Sequence, residues 1–380
     1  GVGTRTCVGM VIAETLGLDR RVLTPRINGA EASWDAALSL VADRFRDTVR
    51  DHGPDSVAFY VSGQFLTEDY YVANKLMKGY IGRGNIDTNS RLCMASSVAG
   101  HRRAFGTDTV PGLYEDLELA DLVVLTGSNL AWCHPVLYQR LAAAKTARPA
   151  MKVVVIDPRR TATCDLADLH LAISPGADAV LFNRLLAEID TRGRTDRDWL
   201  HHVGGYGAAL AAARATDPAA TGLPPADLRA FFDLWTATEK VVTVYSQGIN
   251  QSATGTDKVN AIINCHLATG RIGRPGMGPF SVTGQPNAMG GREVGGMANM
   301  LACHLELDNP SHRRAVQTFW ASPVMADRPG FKAVDMFRAV GDGRIKAIWI
   351  MCTNPVASMP DADAVRAALA GCDLVVGRET

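Results

Sequence analysis

The feature of this sequence that most constrains its fold is a repeated order of short apolar run, polar loop and helical pattern. Five runs of mostly β-branched and other apolar residues lead into loops rich in Gly, Ser, Asn and Asp, at 56–61, 121–125, 153–156, 241–245 and 345–351. Helical patterns occupy 67–79, 135–147, 257–269 and 361–370. Runs that are apolar throughout are typical of strands buried on both faces, and their alternation with helices indicates parallel pairing. The sequence therefore predicts an α/β fold with parallel sheets.

The polar loops of this pattern all follow predicted strands. Because the carboxyl ends of parallel strands meet at one edge of a sheet, where open α/β sheets bind ligands, we expect these loops to form a ligand site. Their number indicates an extended ligand or more than one sheet.

Composition excludes several classes of function. The 380 residues include 39 Lys and Arg against 39 Asp and Glu, so the chain lacks the basic excess of most nucleic-acid binders. No apolar run approaches the ~20 residues of a membrane span. Eight scattered cysteines without a CxxC pair argue against a disulfide scaffold and against a complete zinc or iron–sulfur site in this chain. We therefore predict no nucleic-acid partner and no membrane span.

Two segments carry candidate chemistry. Residues 270–296 are too rich in Gly and Pro for a helix or a buried strand, which predicts a long functional loop. In residues 82–100, Cys93 follows a polar turn at a predicted helix start, where N–H dipoles stabilise a thiolate. Such a cysteine is a candidate nucleophile or soft-metal ligand, with a buried, inert thiol as the alternative. The histidines, among them His134 and His266, are interpreted as packing or surface residues.

Several motifs, in order along the chain, resemble the molybdopterin oxidoreductase family, and within it the catalytic subunit of bacterial assimilatory nitrate reductases. These motifs are residues 85–100 with the pair Cys93-Met94, the loop Gly127-Ser128-Asn129, the string Asp157-Pro158-Arg159-Arg160-Thr161, and the long run from Gly284-Gln285-Pro286-Asn287 to Gly290-Gly291-Arg292-Glu293-Val294-Gly295-Gly296.

The resemblance implies a cofactor and a reaction. Members of this family hold molybdenum between two molybdopterin guanine dinucleotides, and a soft thiolate ligand to molybdenum would be supplied by Cys93. The implied reaction is reduction of nitrate to nitrite by oxygen-atom transfer, for nitrate assimilation. The metal and the pterin dithiolenes would carry the redox chemistry, and the protein would supply positioning and electrostatics.

Position within the motifs implies roles for further residues. Contacts to a pterin are expected from Gln64, Asn89, Gln247, Gly248, Gln251 and Gln285. Contacts to the dinucleotides are expected from Gly127, Ser128, Asn129, Asp157, Pro158, Arg159, Arg160, Thr161, Asp178 and Asn354. Arg292 is the candidate for steering the nitrate anion, and Met94 and Met289 are expected to shape the pocket.

Simpler interpretations of these residues remain open. Asp157-Pro158 is also typical of a turn that ends a strand, and Arg159 and Arg160 are also compatible with solvated surface charges. Arg292 is also placed to pair with an acidic residue such as Glu293.

The family pattern implies three parts. Residues 1–32 would be a remnant of an N-terminal [4Fe–4S] domain, 33–88 plus 293–380 a split Rossmann-like domain for one dinucleotide, and 89–292 an inserted domain for the second. Only Cys7 matches the four cysteines of the cluster, so it is a possible [4Fe–4S] ligand, and the cluster itself is expected only in a full-length parent. The chain begins without Met and stops directly after the apolar run 374–376, so we expect it to be incomplete at both ends.

Two alternatives remain at this stage. A formate dehydrogenase of the same superfamily would carry His directly after the metal-binding residue, where this chain has Met94. A molybdenum-free electron-transfer or scaffold subunit would be expected to lose Cys93, Gln285 and Arg292, all of which are present. The expected electron donor is a ferredoxin, a flavodoxin or an NADH-dependent partner, and the expected compartment is the cytoplasm.

Overall fold

The computed structural model describes residues 23–378, which form two compact units. The first unit contains the described residues up to Arg91 and from Asn287 onward, and the second unit is Leu92–Pro286. Cys7 lies outside the described residues. Residues 26–31 form a small antiparallel hairpin, with Arg26–Ile27 paired to Ala30–Glu31.

The first unit is built on a four-stranded parallel sheet. Its strands lie in the order Leu374–Arg378, Ala347–Met351, Val57–Val61 and Ile86–Thr88. Its longer helices are Trp34–His52, Thr67–Lys75, Pro310–Trp320, Ala333–Gly341 and Ala362–Ala370. Its shorter helices are Pro54–Ser56, the π-helix Leu76–Ile81, Ala288–Glu293, Ala302–His304 and Pro355–Ser358.

The second unit is built on a five-stranded parallel sheet. Its strands lie in the order Leu169–Leu171, Lys152–Ile156, Leu122–Thr126, Val241–Tyr245 and Gly278–Ser281. Its longer helices are Pro135–Ala147, Asp178–Thr191, Tyr206–Arg214, Pro225–Ala237 and Gly255–Ala268, together with most of Ser90–Phe105. Its shorter helices are Asp116–Leu119, Leu130–Cys133, Ala162–Leu166, Trp199–His202, Pro218–Thr221 and Gln247–Asn250.

Alternation along the central strands explains why these runs are apolar throughout. Leu122 and Val124 pack into one hydrophobic core of the second unit, whereas Val123 and Leu125 pack into another. Successive side chains of a strand point to opposite faces, so both faces of this sheet are buried under helices, as the sequence predicts. All pairs of strands in both sheets are parallel.

The prediction that residues 270–296 contain neither a buried strand nor a helix is wrong. Gly278–Ser281 is a fully buried strand paired with Val241–Tyr245, and Ala288–Glu293 is a helix. Pro279 is tolerated because this strand lies at the edge of its sheet, where an amide hydrogen is not needed on the outer side.

No helix within residues 23–378 combines the length and the apolar character that crossing a bilayer requires.

Candidate functional site

Two strand-end loops of the second unit touch through their backbones. Gly127 follows the Leu122–Thr126 strand with φ +56°, and Gly248 N–H donates to its carbonyl at 3.0 Å. A Cβ on Gly127 would lie 2.8 Å from Gly248 Cα, and a Cβ on Gly248 would lie 2.6 Å from Gly127 Cα. Glycine is therefore required at both positions, and two of the predicted contact residues are brought together.

Buried hydroxyls border the same edge of this sheet. The hydroxyl oxygens of Thr126, Ser128 and Thr161 are buried and have no hydrogen-bond partner within the described chain. A buried polar group without a partner costs about 1–3 kcal/mol, so these atoms favour a polar ligand that supplies one. Asn129 differs, because its Oδ1 accepts from the Thr163 hydroxyl at 2.9 Å.

The string after the Lys152–Ile156 strand combines an acceptor with two cations. Asp157 Oδ1 accepts from the Arg159 backbone N–H at 2.8 Å, which forms a local turn at the strand end, followed by Pro158. The side chains of Arg159 and Arg160 are exposed. An exposed guanidinium group beside a strand end is suited to bind phosphate, because it can donate hydrogen bonds to two phosphate oxygens at once.

Cys93 lies in the first turn of helix Ser90–Phe105, and the backbone leaves helical geometry directly after it, at Met94. Its side chain is 6% exposed and is bordered by two polar groups. Gln247 Nε2 lies 2.7 Å from Cys93 Sγ, and the Thr283 hydroxyl lies 3.4 Å from the same sulfur. In the opposite amide orientation, Gln247 donates to the Cys93 carbonyl at 2.5 Å and accepts from Gly284 N–H at 3.2 Å. Met94 is buried.

Sequence reasoning missed two residues of this cluster. Thr283 contacts the thiol, and its hydroxyl donates to Gln285 Oε1 at 3.2 Å. His134 Nε2 donates to the Thr283 carbonyl at 2.5 Å, which leaves Nδ1 buried and without a partner among the described residues. His134 therefore supports the loop that carries Thr283. The available signal was that it follows the Gly127–Asn129 loop by five residues and precedes Pro135.

In the first unit, Asn89 joins three neighbouring strand-end loops. Its Oδ1 accepts from Gly63 N–H at 2.9 Å, and its Nδ2 donates to Gln64 Oε1 and to the Thr353 hydroxyl, both at 3.2 Å. Asn354 follows Thr353 and caps helix Pro355–Ser358 by accepting from Val356 N–H at 3.1 Å. Gln64 and Asn89 are thus brought together, with Asn354 in the adjacent loop.

Arg292 and Met289 lie on the short helix Ala288–Glu293 of the first unit. The guanidinium of Arg292 is on a side chain only 4% exposed and donates to the Ala288 carbonyl at 3.4 Å. Met289 is 47% exposed.

Two further predicted residues have protein partners in the second unit. Asp178 begins helix Asp178–Thr191 and forms an ion pair of 2.8 Å with Lys258, and both side chains are almost fully buried. Gln251 Nε2 donates to the Leu92 carbonyl at 3.4 Å.

A family model and several nitrate reductases match this chain over most of its length. The family model for molybdopterin oxidoreductase matches residues 21–378. A nitrate reductase of Klebsiella oxytoca is 55% identical over 98% of this chain and 43% of its own length. A nitrate reductase of Shewanella frigidimarina is 51% identical over 93% of this chain and 38% of its own length. A periplasmic nitrate reductase of Desulfovibrio desulfuricans is 37% identical over 95% of this chain and 51% of its own length.

The chain thus spans about half or less of the length of these curated relatives. Among solved structures, acetylene hydratase from Pelobacter acetylenicus resembles it with a TM-score of 0.71. That match has 18% sequence identity and covers 94% of this chain and 53% of the hydratase, so it supports the fold alone.

Proposed function

This chain belongs to the molybdopterin oxidoreductase family, and from that premise we propose that it is part of an enzyme that reduces nitrate to nitrite. The net reaction consumes nitrate, two electrons and two protons and yields nitrite and water. The names of relatives at 51–55% identity support nitrate as the substrate. Met94, rather than His, after Cys93 favours nitrate reduction over formate oxidation.

The observation that carries the proposal is the polar surrounding of the Cys93 sulfur. A thiol meant only for packing would be enclosed by hydrocarbon, whereas this one is bordered by the Gln247 amide and the Thr283 hydroxyl. The thiol of Cys265 in the same unit, by contrast, lies in a hydrophobic core. A thiolate is the soft ligand that suits molybdenum.

The residues present fit a molybdenum centre with two molybdopterin guanine dinucleotides. In the second unit, the close approach of Gly127 and Gly248 leaves no room for side chains at these two positions of the sheet edge. Buried hydroxyls such as that of Ser128 have no hydrogen-bond partner among the described residues, so a polar ligand could bind them. When bound, the molybdenum and its pterin dithiolenes supply the two-electron chemistry and the transfer of an oxygen atom.

The protein's own residues bind and orient this group and the substrate. Arg159 and Arg160 would bind phosphate oxygens, with Asp157 close by to accept hydrogen bonds from hydroxyl groups. In the first unit, Gln64 and Asn89 would contact a pterin. In the second unit, pterin contacts would come from Gln247, Gln251 and Gln285. Asp178 would contact a guanine, and Lys258 is its ion-pair partner in the buried interior.

Arg292 would bind the nitrate anion. Its guanidinium is buried on a glycine-containing helix, and a cation that is poorly hydrated attracts an anion more strongly than a solvated one does. Met289, on the same helix, would border the anion with apolar surface, and Met94 would contribute apolar surface beside Cys93 in its own unit.

We infer nitrate assimilation in the cytoplasm, because relatives above 50% identity carry the plain name nitrate reductase, whereas the one named periplasmic is 37% identical. A [4Fe–4S] cluster, with Cys7 as one ligand, would pass electrons from a ferredoxin, a flavodoxin or an NADH-dependent partner.

Replacement of Cys93 in the full-length enzyme tests the proposal. Cys93→Ala should lose bound molybdenum and nitrite formation, because the metal loses its protein ligand. Cys265→Ala is the matched control, since Cys265 is also a buried thiol of the second unit but lies in a hydrophobic core. Metal and pterin analysis, circular dichroism and nitrite assays should separate the two variants.

Three other outcomes would contradict the proposal or favour a different function. Full nitrate reduction by Cys93→Ala would refute Cys93 as the metal ligand. Oxidation of formate without reduction of nitrate by the unchanged enzyme would favour a formate dehydrogenase. Absence of molybdenum from that enzyme would favour a scaffold or electron-transfer subunit.

A further inference from the structure

One helix of the first unit directs three buried polar side chains at a single segment. Helix Thr67–Lys75 continues without a break as the π-helix Leu76–Ile81, and Tyr70, Asn74 and Lys78 follow one another at intervals of four residues. Each of the three side chains is 0% exposed. Residues four apart lie on the same face of a helix, so these three form one stripe. The segment that they contact is 291–300, which contains Arg292.

Lys78 makes the strongest of these contacts. Its ammonium donates to the carbonyls of Gly295 at 2.7 Å, Met297 at 2.7 Å and Met300 at 2.6 Å. An ammonium has three hydrogens and no acceptor, so this arrangement uses its whole hydrogen-bonding capacity on one turn of the backbone. Charge-assisted bonds of this kind are roughly twice as strong as neutral ones.

Asn74 and Tyr70 extend the contact toward Arg292. Asn74 Nδ2 donates to the Val294 carbonyl at 2.8 Å. The Tyr70 ring packs so closely on the segment that a Cβ on Gly291 would lie 2.6 Å from it, and a Cβ on Gly296 would lie 2.5 Å from it. The stripe therefore contacts the segment on both sides of Arg292.

The helix that carries Arg292 depends on such outside support. Ala288–Glu293 has only six residues, two of them glycine. Isolated helices of this length are unstable in water, and glycine lowers helix stability further relative to alanine. The position of this helix therefore depends on the contacts that its residues and the following segment make with the rest of the unit.

We propose that Lys78 is a positioning residue for Arg292, because it fixes the backbone turn that directly follows the Arg292 helix. This inference rests on the proposed function, in which Arg292 binds nitrate. Lys78 touches neither the substrate nor the cofactor in this proposal, and it acts through the carbonyls of Gly295, Met297 and Met300.

The charge of Lys78 is compatible with this role. Burial lowers the pKa of Lys78 to about 7, the Asp87 carboxylate opposes that shift, and the Arg91 guanidinium adds to it. Asp87 is itself bonded to Arg91, at 3.0 Å for each of its oxygens. The test is therefore done below pH 7, where the ammonium retains all three hydrogens.

Hydrogen exchange in the full-length enzyme tests the positioning directly. The amides of Gly295, Gly296 and Leu301 donate within or beside the turn, to Arg292, Gly291 and Leu305. In Lys78→Met they should exchange at least about tenfold faster, since the turn loses three hydrogen bonds to a charged group. Lys75→Met is the matched control, because Lys75 lies on the same helix and only approaches the Tyr71 ring, at 6.0 Å. That control should leave the exchange unchanged.

Kinetics should separate positioning from a general loss of structure. If Lys78 orients Arg292, Lys78→Met raises KM for nitrate more than it lowers kcat, because a misplaced Arg292 weakens the binding of nitrate. A merely misfolded fraction would lower kcat and leave KM unchanged. If Lys78→Met does not fold, Asn74→Ala removes one bond to the same segment and should give a smaller change in the same direction.

Three outcomes decide the inference. Unchanged exchange of Gly295 and Gly296 in a folded Lys78→Met or Asn74→Ala variant would overturn it. Faster exchange with an unchanged KM for nitrate would also overturn it, because the turn would then be held without positioning Arg292. Unchanged nitrate kinetics in Arg292→Ala would instead count against the proposed function, whatever the exchange data show for the turn.

Discussion

Replacing Gly127 by alanine tests whether the two strand-end loops of the second unit are as close as their geometry requires. Two separate costs are expected. With φ +56°, Gly127 has left-handed backbone, which costs a residue with a Cβ about 1–2 kcal/mol. The new Cβ would also lie 2.8 Å from Gly248 Cα, and overpacking of this kind costs about 1–3 kcal/mol. We therefore expect Gly127→Ala to lower the free energy of unfolding by about 2–5 kcal/mol.

Two other glycines of the same unit separate these costs. Gly193 has φ +62° and no atom within 4 Å of a new Cβ, so Gly193→Ala should show the backbone cost alone, about 1–2 kcal/mol. Gly248 does not have positive φ, but its Cβ would lie 2.6 Å from Gly127 Cα, so Gly248→Ala should show the steric cost alone. Because Gly127 and Gly248 are in contact, the double variant should not be additive.

Urea unfolding of the full-length apoenzyme, followed by circular dichroism, measures these differences as shifts of the midpoint at a common slope. The expected order of loss is Gly127→Ala, then Gly248→Ala, then Gly193→Ala. Equal stability of the Gly127→Ala and Gly193→Ala variants would refute the reasoning, because the backbone contact would then contribute nothing. Pterin content of the same variants reports whether the contact also supports the cofactor.

Two further predictions concern single side chains. Arg292→Ala should lower kcat/KM for nitrate by the equivalent of about 1–3 kcal/mol, because a charged hydrogen-bond donor to the anion is lost. Arg314→Ala, at an exposed position of the same unit, should leave kcat/KM unchanged. Steady-state kinetics of both variants measures this difference. Burial lowers the pKa of His266 well below 6.5, so the unfolded chain takes up a proton in acid that the folded chain does not. The free energy of unfolding should therefore fall as pH drops below 6.5, and His266→Gln should show a smaller fall in the same urea titrations.

The fold could be predicted because its signal is local. Each central strand is a short apolar run that needs no knowledge of its partners, and helix 135–147 lies where its pattern predicts it. The edge strand Gly278–Ser281 escaped prediction because its conformation is decided by pairing with Val241–Tyr245, more than thirty residues earlier in the chain.

The candidate site was predictable to the extent that it follows from parallel pairing. Gln64 with Asn89, and Gly127 with Gly248, meet because the carboxyl ends of neighbouring strands share one edge. The contacts of Thr283 with Cys93 could not be predicted, since they join residues 190 positions apart through side chains alone.

The two sheet edges differ in how far the protein satisfies its own polar atoms, and this difference bears on how each would accept a ligand. In the second unit, the Thr126 and Ser128 hydroxyls are buried without a partner among residues 23–378, so a ligand that bonds them recovers a cost already present in the folded chain. In the first unit, Asn89 already bonds Gly63, Gln64 and Thr353. A ligand that binds Asn89 must replace those bonds, and it gains only the difference between the new bonds and the old ones. The second unit is therefore the better prepared of the two for a polar ligand, and its edge should change less when that ligand binds.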